Sequence, residues 1–100
     1  MPSVKVVLFA TLRKKYGKRE LTVNCDGTVR GLIESLSKTL GEEFFNDIYD
    51  KEHNRVKSNL IFTINGRNIK DLKGSAELDG GNIELKEGDV IAIFPPLAGG

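Results

Sequence analysis

One hundred residues with a 39% hydrophobic share, and fifteen lysines and arginines against fourteen acids for a net charge of +1, describe one small domain. No apolar stretch approaches the ~20 residues of a membrane span, and Met1-Pro2-Ser3-Val4-Lys5 lacks the layout of a secretory signal, which predicts a cytoplasmic protein. The near-balanced charge argues against a nucleic-acid platform, which needs a basic face, and the lone Cys25 excludes an internal disulfide or a cysteine-based zinc site.

Val4-Lys5-Val6-Val7-Leu8-Phe9-Ala10 reads as a first strand, with Val4, Val6 and Leu8 on one face and Lys5, Val7 and Phe9 on the other. The basic run Arg13-Lys14-Lys15-Tyr16-Gly17-Lys18-Arg19 follows, and Gly17 predicts a hairpin turn into a second strand whose Leu21, Val23 and Cys25 point inward. The run is read as a solvated turn; a seat for an acidic partner is the other reading of it. Cys25 continues an apolar strand face and is read as a small core residue, not a nucleophile.

Thr28 predicts a helix N-cap, and Val29, Leu32, Ile33, Leu36 and Leu40 form one apolar stripe that Gly41 ends. Phe44, Phe45, Ile48 and Tyr49 keep helical spacing for a short second helix, whereas Asp50-Lys51-Glu52-His53-Asn54-Arg55 has no apolar period and reads as an exposed loop. His53, without a second histidine or a cysteine near it, reads as a surface residue. Leu60, Phe62 and Ile64 mark one face of a further strand, and Asn65-Gly66 the tight turn into Arg67-Asn68-Ile69. Residues 70–82 read as a surface connection with a turn at Asp79-Gly80-Gly81. A final strand, Val90-Ile91-Ala92-Ile93-Phe94, is stopped by Pro95-Pro96.

The first and last strands are apolar on both faces, yet only one substantial amphipathic helix is available to cover a sheet. One face must therefore stay partly open. With Val4, Val6, Leu8, Ile91 and Ile93 directed at the helix, Phe9 and Phe94 project from the other side, adjacent if the two strands pair, as a patch fit for a partner; the other reading has the connection at 70–82 or the short second helix fold over them.

Beyond Pro96 the sequence reads Leu97-Ala98-Gly99-Gly100. Glycine has no Cβ, so such a tail can lie extended in a narrow channel of another protein. An ionised α-carboxylate is a poor electrophile and would need ATP to activate it as an acyl-adenylate before sulfur or an amine could attack. The chain offers no acid–base pair, phosphate-binding glycine loop or metal-ligand cluster of its own, which predicts a non-catalytic protein whose chemistry resides in partners.

Leu8-Phe9-Ala10-x-Leu12-Arg13, Thr28-Val29 opening a leucine-rich helix, Ile64-Asn65-Gly66-Arg67, and Leu85-x-x-Gly88-Asp89-Val90-x-x-x-Phe94-Pro95-Pro96-x-Ala98-Gly99-Gly100 together resemble the MoaD/ThiS sulfur-carrier family, most of all its MoaD branch of molybdopterin synthase small subunits. The resemblance implies an α+β, ubiquitin-like β-grasp fold over residues 1–96: a mixed sheet of four to five strands, its first and last strands parallel at the centre, one main helix on one face, and a tail at 97–100. It implies that the Gly100 carboxylate is adenylated by an ATP-dependent, ubiquitin-activating-like enzyme and converted to a thiocarboxylate. The molybdopterin synthase large subunit would then use that sulfur in molybdenum cofactor biosynthesis. Gly99, Ala98 and Leu97 would thread the tail, and Phe9, Phe94, Pro95, Pro96 and Arg13 would meet the partner; no cofactor or metal is implied on this chain. Longer segments at 44–59 and 71–82 fit archaeal relatives, some of which join lysines as ubiquitin-like modifiers or supply sulfur for tRNA thiolation.

Overall fold

The computed structural model describes residues 1–71 and 83–95. In chain order these form β1 (Ser3–Leu8), α1 (Ala10–Tyr16), β2 (Glu20–Asn24), α2 (Val29–Leu40), α3 (Glu42–Ile48), β3 (Tyr49–Asp50), β4 (Arg55–Val56), β5 (Ile61–Ile64), β6 (Arg67–Asn68), a 3₁₀ turn (Ile69–Asp71) and β7 (Val90–Phe94). The expected connection at 70–82, with its Asp79-Gly80-Gly81 turn, and the tail from Pro96 to Gly100 lie outside the described residues, save that Lys70 and Asp71 close the 3₁₀ turn.

Strand parity makes the main sheet. Its order is β2-β1-β7-β5-β6, with β1 and β7 parallel and the other neighbours antiparallel, as expected of a mixed sheet of four to five strands. Val4, Val6, Leu8, Phe62, Ile64, Ile91 and Ile93 all turn to one face and are buried there. Against them lie Val29, Leu32, Ile33 and Leu36 of α2 together with Phe44 and Ile48 of α3. Cys25 is fully buried in the same core, as its place on the strand face predicts. Ile83 and Leu85 close the core from the far loop, where the Leu85 N–H donates to the Gly27 carbonyl at 2.8 Å.

The start of α2 is held by a small polar relay. Thr28 Oγ1 accepts from the Gly31 N–H at 2.9 Å, while Asp26 Oδ1 accepts from Thr28 Oγ1 at 2.6 Å and from the Thr28 N–H at 2.9 Å. Those hydrogen bonds, the hydroxyl's first, hold the Asp26 carboxyl below the usual carboxylate range. A Cβ on Gly31 would collide with the Asp26 carboxylate. Gly31→Ala, which an isolated helix would favour by about 1 kcal/mol, is therefore expected to destabilise this protein, because Asp26 must leave the cap. Denaturant unfolding checks this, and a variant more stable than the parent would show that Asp26 carries no weight.

Two segments depart from the sequence expectation. Residues 10–16 form α1, not the arm of a hairpin, because Leu12 and Tyr16 fall one helical turn apart and pack on the core, while Arg13, Lys14 and Lys15 lie in the last turn, where cations suit the helix dipole. Gly17 accordingly ends a helix: at φ 69° it donates its N–H to the Arg13 carbonyl at 2.9 Å. The stretch 50–55, expected as an open loop, carries the ends of a short hairpin in which Tyr49 pairs with Val56 and Asp50 with Arg55. Both strands are only two residues long, too short for an alternation to show in the sequence. Among the described residues no helix is long and apolar enough to cross a membrane.

Candidate functional site

The face of the main sheet opposite the core is built by the residues left over from its parity: Lys5 and Val7 of β1, Val90, Ala92 and Phe94 of β7, and Ile61 and Thr63 of β5, with Phe9 just past the end of β1. The register sets Val7 beside Ala92, Thr63 opposite Ala92 and Ile61 opposite Phe94. Ile61 is 48% and Val90 39% exposed, which leaves apolar surface open to solvent on a face the core does not use.

Phe9 and Phe94 meet on this face as the sequence predicts. Their rings stack with centroids 4.2 Å apart and planes within 10°, so each half-buries the other instead of standing fully exposed. The backbone fixes the pair, since the Phe9 N–H donates to the Ile93 carbonyl at 3.2 Å. The chain then turns sharply into α1 through Ala10, a non-glycine residue at φ 51°. Ile61 and Val90 are members of the patch that sequence reasoning missed. The signal was present, because Ile61 alternates with Leu60 and Phe62, and Val90 with Ile91.

Because β1 and β7 run parallel, both end at the same side of the sheet. Half-buried Pro95 therefore leaves β7 close to where Phe9 passes into α1. Arg13 is exposed one helical turn beyond Phe9, with its N–H directed at the Phe9 carbonyl. The structure thus brings together Phe9, Phe94, Pro95 and Arg13. Pro96, Leu97, Ala98, Gly99 and Gly100 lie outside the described residues.

Ion pairs brace the elements around the sheet. Lys5 pairs with Glu20 at 2.9 Å, and Lys15 pairs with Asp47 at 2.8 Å and Glu43 at 3.2 Å, which tethers α1 to α3. Tyr16 Oη also donates to Asp47 at 2.5 Å, and its ring meets Phe44 edge to face at 5.3 Å. Burial first, and then the bond to Asp47, push the Tyr16 hydroxyl up to about 12. Partial burial works upward on Asp47, but the hydrogen bonds from Lys15 and Tyr16 outweigh it and hold its carboxyl low. A lowered carboxyl stabilises the fold above its unfolded value, and that stability is lost as pH falls through the folded value; the raised phenol contributes below its unfolded value, until it ionises. Asp47→Ala is expected to cost about 1–2 kcal/mol at neutral pH. The difference from the parent should shrink below about pH 4. Urea titrations at pH 7 and pH 3 check this, and an equal cost at both would remove the ion from the account.

His53 is exposed, as expected, and its Nδ1 lies 2.7 Å from Asp50 Oδ2. The hydrogen bonds from His53 hold the Asp50 carboxyl low. What the open face offers is contact area with a cationic margin, the chemistry of recognition.

The family model described as ThiS family matches residues 6–100. The chain is 33% identical over 94 residues to small archaeal modifier protein 3 of Haloferax volcanii, covering 92% of each. Among solved structures it is similar to small archaeal modifier protein 1 of Methanosarcina acetivorans, with a TM-score of 0.74 and 31% identity over 100% of this chain and 98% of that one. It is similar also to a Pyrococcus furiosus protein described as molybdopterin converting factor subunit 1, with a TM-score of 0.65 and 30% identity over 97% of this chain and 100% of that one.

Proposed function

The chain belongs to the ThiS family of ubiquitin-like sulfur carriers, with their α+β, β-grasp fold, and from that membership we propose that it carries sulfur on the Gly100 carboxylate for molybdopterin synthesis. The observation that bears most weight is the Phe9–Phe94 stack on an open sheet face, at the side from which β7 sends the chain toward its glycines. A partner that grips this face has the tail within reach of its own active site.

The chemistry follows from the carboxylate. One oxygen of Gly100 attacks the α-phosphorus of ATP in the activating enzyme, pyrophosphate leaves, and the acyl-adenylate that forms is a true electrophile. A sulfur nucleophile then attacks the carbonyl carbon, and AMP departs with the bonding pair and the former carboxylate oxygen. With hydrosulfide as that nucleophile, the proton on sulfur is lost to solvent and Gly100 then holds a thiocarboxylate, with no change of oxidation state. This chain contributes the docking face, and Gly99 and Ala98, with no more than one methyl side chain between them, would let the tail enter a narrow channel; ATP stays with the partner. The molybdopterin synthase large subunit would next take the sulfur for the dithiolene of the cofactor, as the likeness to the Pyrococcus protein supports.

A second reading shares the first step and differs in the nucleophile. A lysine amine attacking the same adenylate would make the chain a protein modifier, which the likenesses to the Haloferax and Methanosarcina modifier proteins favour. A sulfur donor for tRNA thiolation is a third use of the same thiocarboxylate.

The test is intact-mass measurement of the chain after incubation with ATP, its host's adenylating enzyme and a sulfide source. A gain equal to exchanging one oxygen for sulfur is expected, and the product should then drive dithiolene formation with the large subunit. A ladder of lysine conjugates in host extract, with no sulfur gained, would replace the carrier reading by the modifier reading.

A further inference from the structure

The cations of residues 13–19 are not all used by the fold. Lys15 is tied to Asp47 and Glu43, whereas Arg13, Lys14, Lys18 and Arg19 form no ion pair among the described residues, and all four are exposed. No acid occurs between Ala10 and Arg19. With a net charge of only +1, four unpaired cations at one end leave the rest of the chain net acidic, so the molecule is electrically lopsided.

These cations also have shape. Ala10, Arg13, Lys14, Gly17 and Arg19 line one hollow on the outside of α1. Two contacts place it at the tail's side of the sheet. The Leu8 N–H donates to the Arg19 carbonyl at 2.9 Å, and Leu8 lies level with Ile93 of β7. The hollow therefore lies at the same end of the sheet as Phe9, Phe94 and Pro95. Gly17, at φ 69° and with nothing within 4 Å of where a Cβ would stand, adds no side chain to it.

We propose that this hollow is a cationic seat for a carboxylate-bearing segment of the protein that takes up the tail, with Arg13, Lys14 and Arg19 meeting side-chain carboxylates while the phenylalanine face is gripped beside them. The inference rests on the carrier reading above and deepens it by giving the partner's surface a sign. A protein segment suits the site better than a nucleic acid, because the seat spans a single short helix and adjoins apolar surface. With a net charge of only +1 the chain also lacks the extended basic face that a phosphate backbone needs. Charges at an interface rim act chiefly on encounter and on salt dependence, so the seat would steer the tail's end of the molecule toward the partner before the apolar contact closes.

The experiment measures the affinity of the full chain for its host's adenylating enzyme at low and at several-fold higher NaCl, with thiocarboxylate formation at saturating enzyme followed by mass in parallel. Affinity should fall about tenfold across the salt range. Arg13→Glu combined with Arg19→Glu should weaken binding at low salt by at least about tenfold and flatten the salt response. Lys38→Glu, on the exposed side of α2, should bind as the parent does. Salt-independent binding by the parent, or unchanged binding by the double variant, overturns the seat; if sulfur is still gained, the carrier reading stands. Steep salt dependence without any sulfur gain supports the seat and removes the carrier reading. Salt-independent binding to the enzyme beside tight, salt-sensitive binding of poly-U RNA would assign the hollow to nucleic acid instead.

Discussion

A chain ending at Ala98 is expected to gain no sulfur at all while melting at the same temperature as the full protein. The truncated form still has a terminal carboxylate, so the loss would be one of reach and shape. Two extended residues span about 7 Å, and a nucleophile must come within about 3–3.5 Å of the carbon it attacks. Removing Gly99 and Gly100 leaves the group short of ATP by more than the tolerance of the reaction, and puts a methyl side chain where none stood before. Intact mass after incubation with ATP, enzyme and sulfide reads the result directly. Sulfur on the shortened chain would mean that the glycine pair is not the reacting end.

The second large effect falls on docking. Phe94→Asp places a charge on the open face, between the ring of Phe9 and the side chain of Ile61. Central aromatic anchors carry about 2 kcal/mol or more of binding energy, so affinity for the activating enzyme should drop roughly thirtyfold or further. The fold should lose far less, on the order of the 0.5–1.5 kcal/mol of a lost ring pair. Calorimetric titration and a thermal melt separate the two. Ile61→Asp is the companion variant: half exposed, it should repeat the binding loss with almost no change in melting. A collapse in melting temperature for Phe94→Asp would place that ring in the core, and undiminished binding by both variants would move the partner off this face.

What could be read in advance was whatever repeats along the chain. The stripe from Val29 to Leu40 marked α2, its Thr28 cap and its Gly41 stop, and β1 and β7 showed by their alternation which side chains would be inside. The pairing of Phe9 with Phe94 followed from that parity, and their stacking then made both less exposed than parity alone suggests. The misreading of α1 had a physical source. Its seven residues hold only Leu12 and Tyr16 as apolar anchors, and the crowd of cations around Gly17 looks like a solvated turn. The tether that fixes it, Lys15 and Tyr16 to Asp47, joins residues far apart in sequence and leaves no local pattern. The same holds for the two-residue strands β3 and β4.

The two phenylalanines come from opposite ends of the sequence and meet only because β1 and β7 lie side by side. That pairing is the most distant in the sheet, and closing the long intervening chain is the entropic cost it must overcome. A polypeptide still emerging from the ribosome has Phe9 but no Phe94, and one that is synthesised but misfolded has both rings apart. Neither presents the surface that would summon an activating enzyme. On the carrier reading, recognition is thereby conditional on folding, because the docking surface exists only once β1 and β7 have paired.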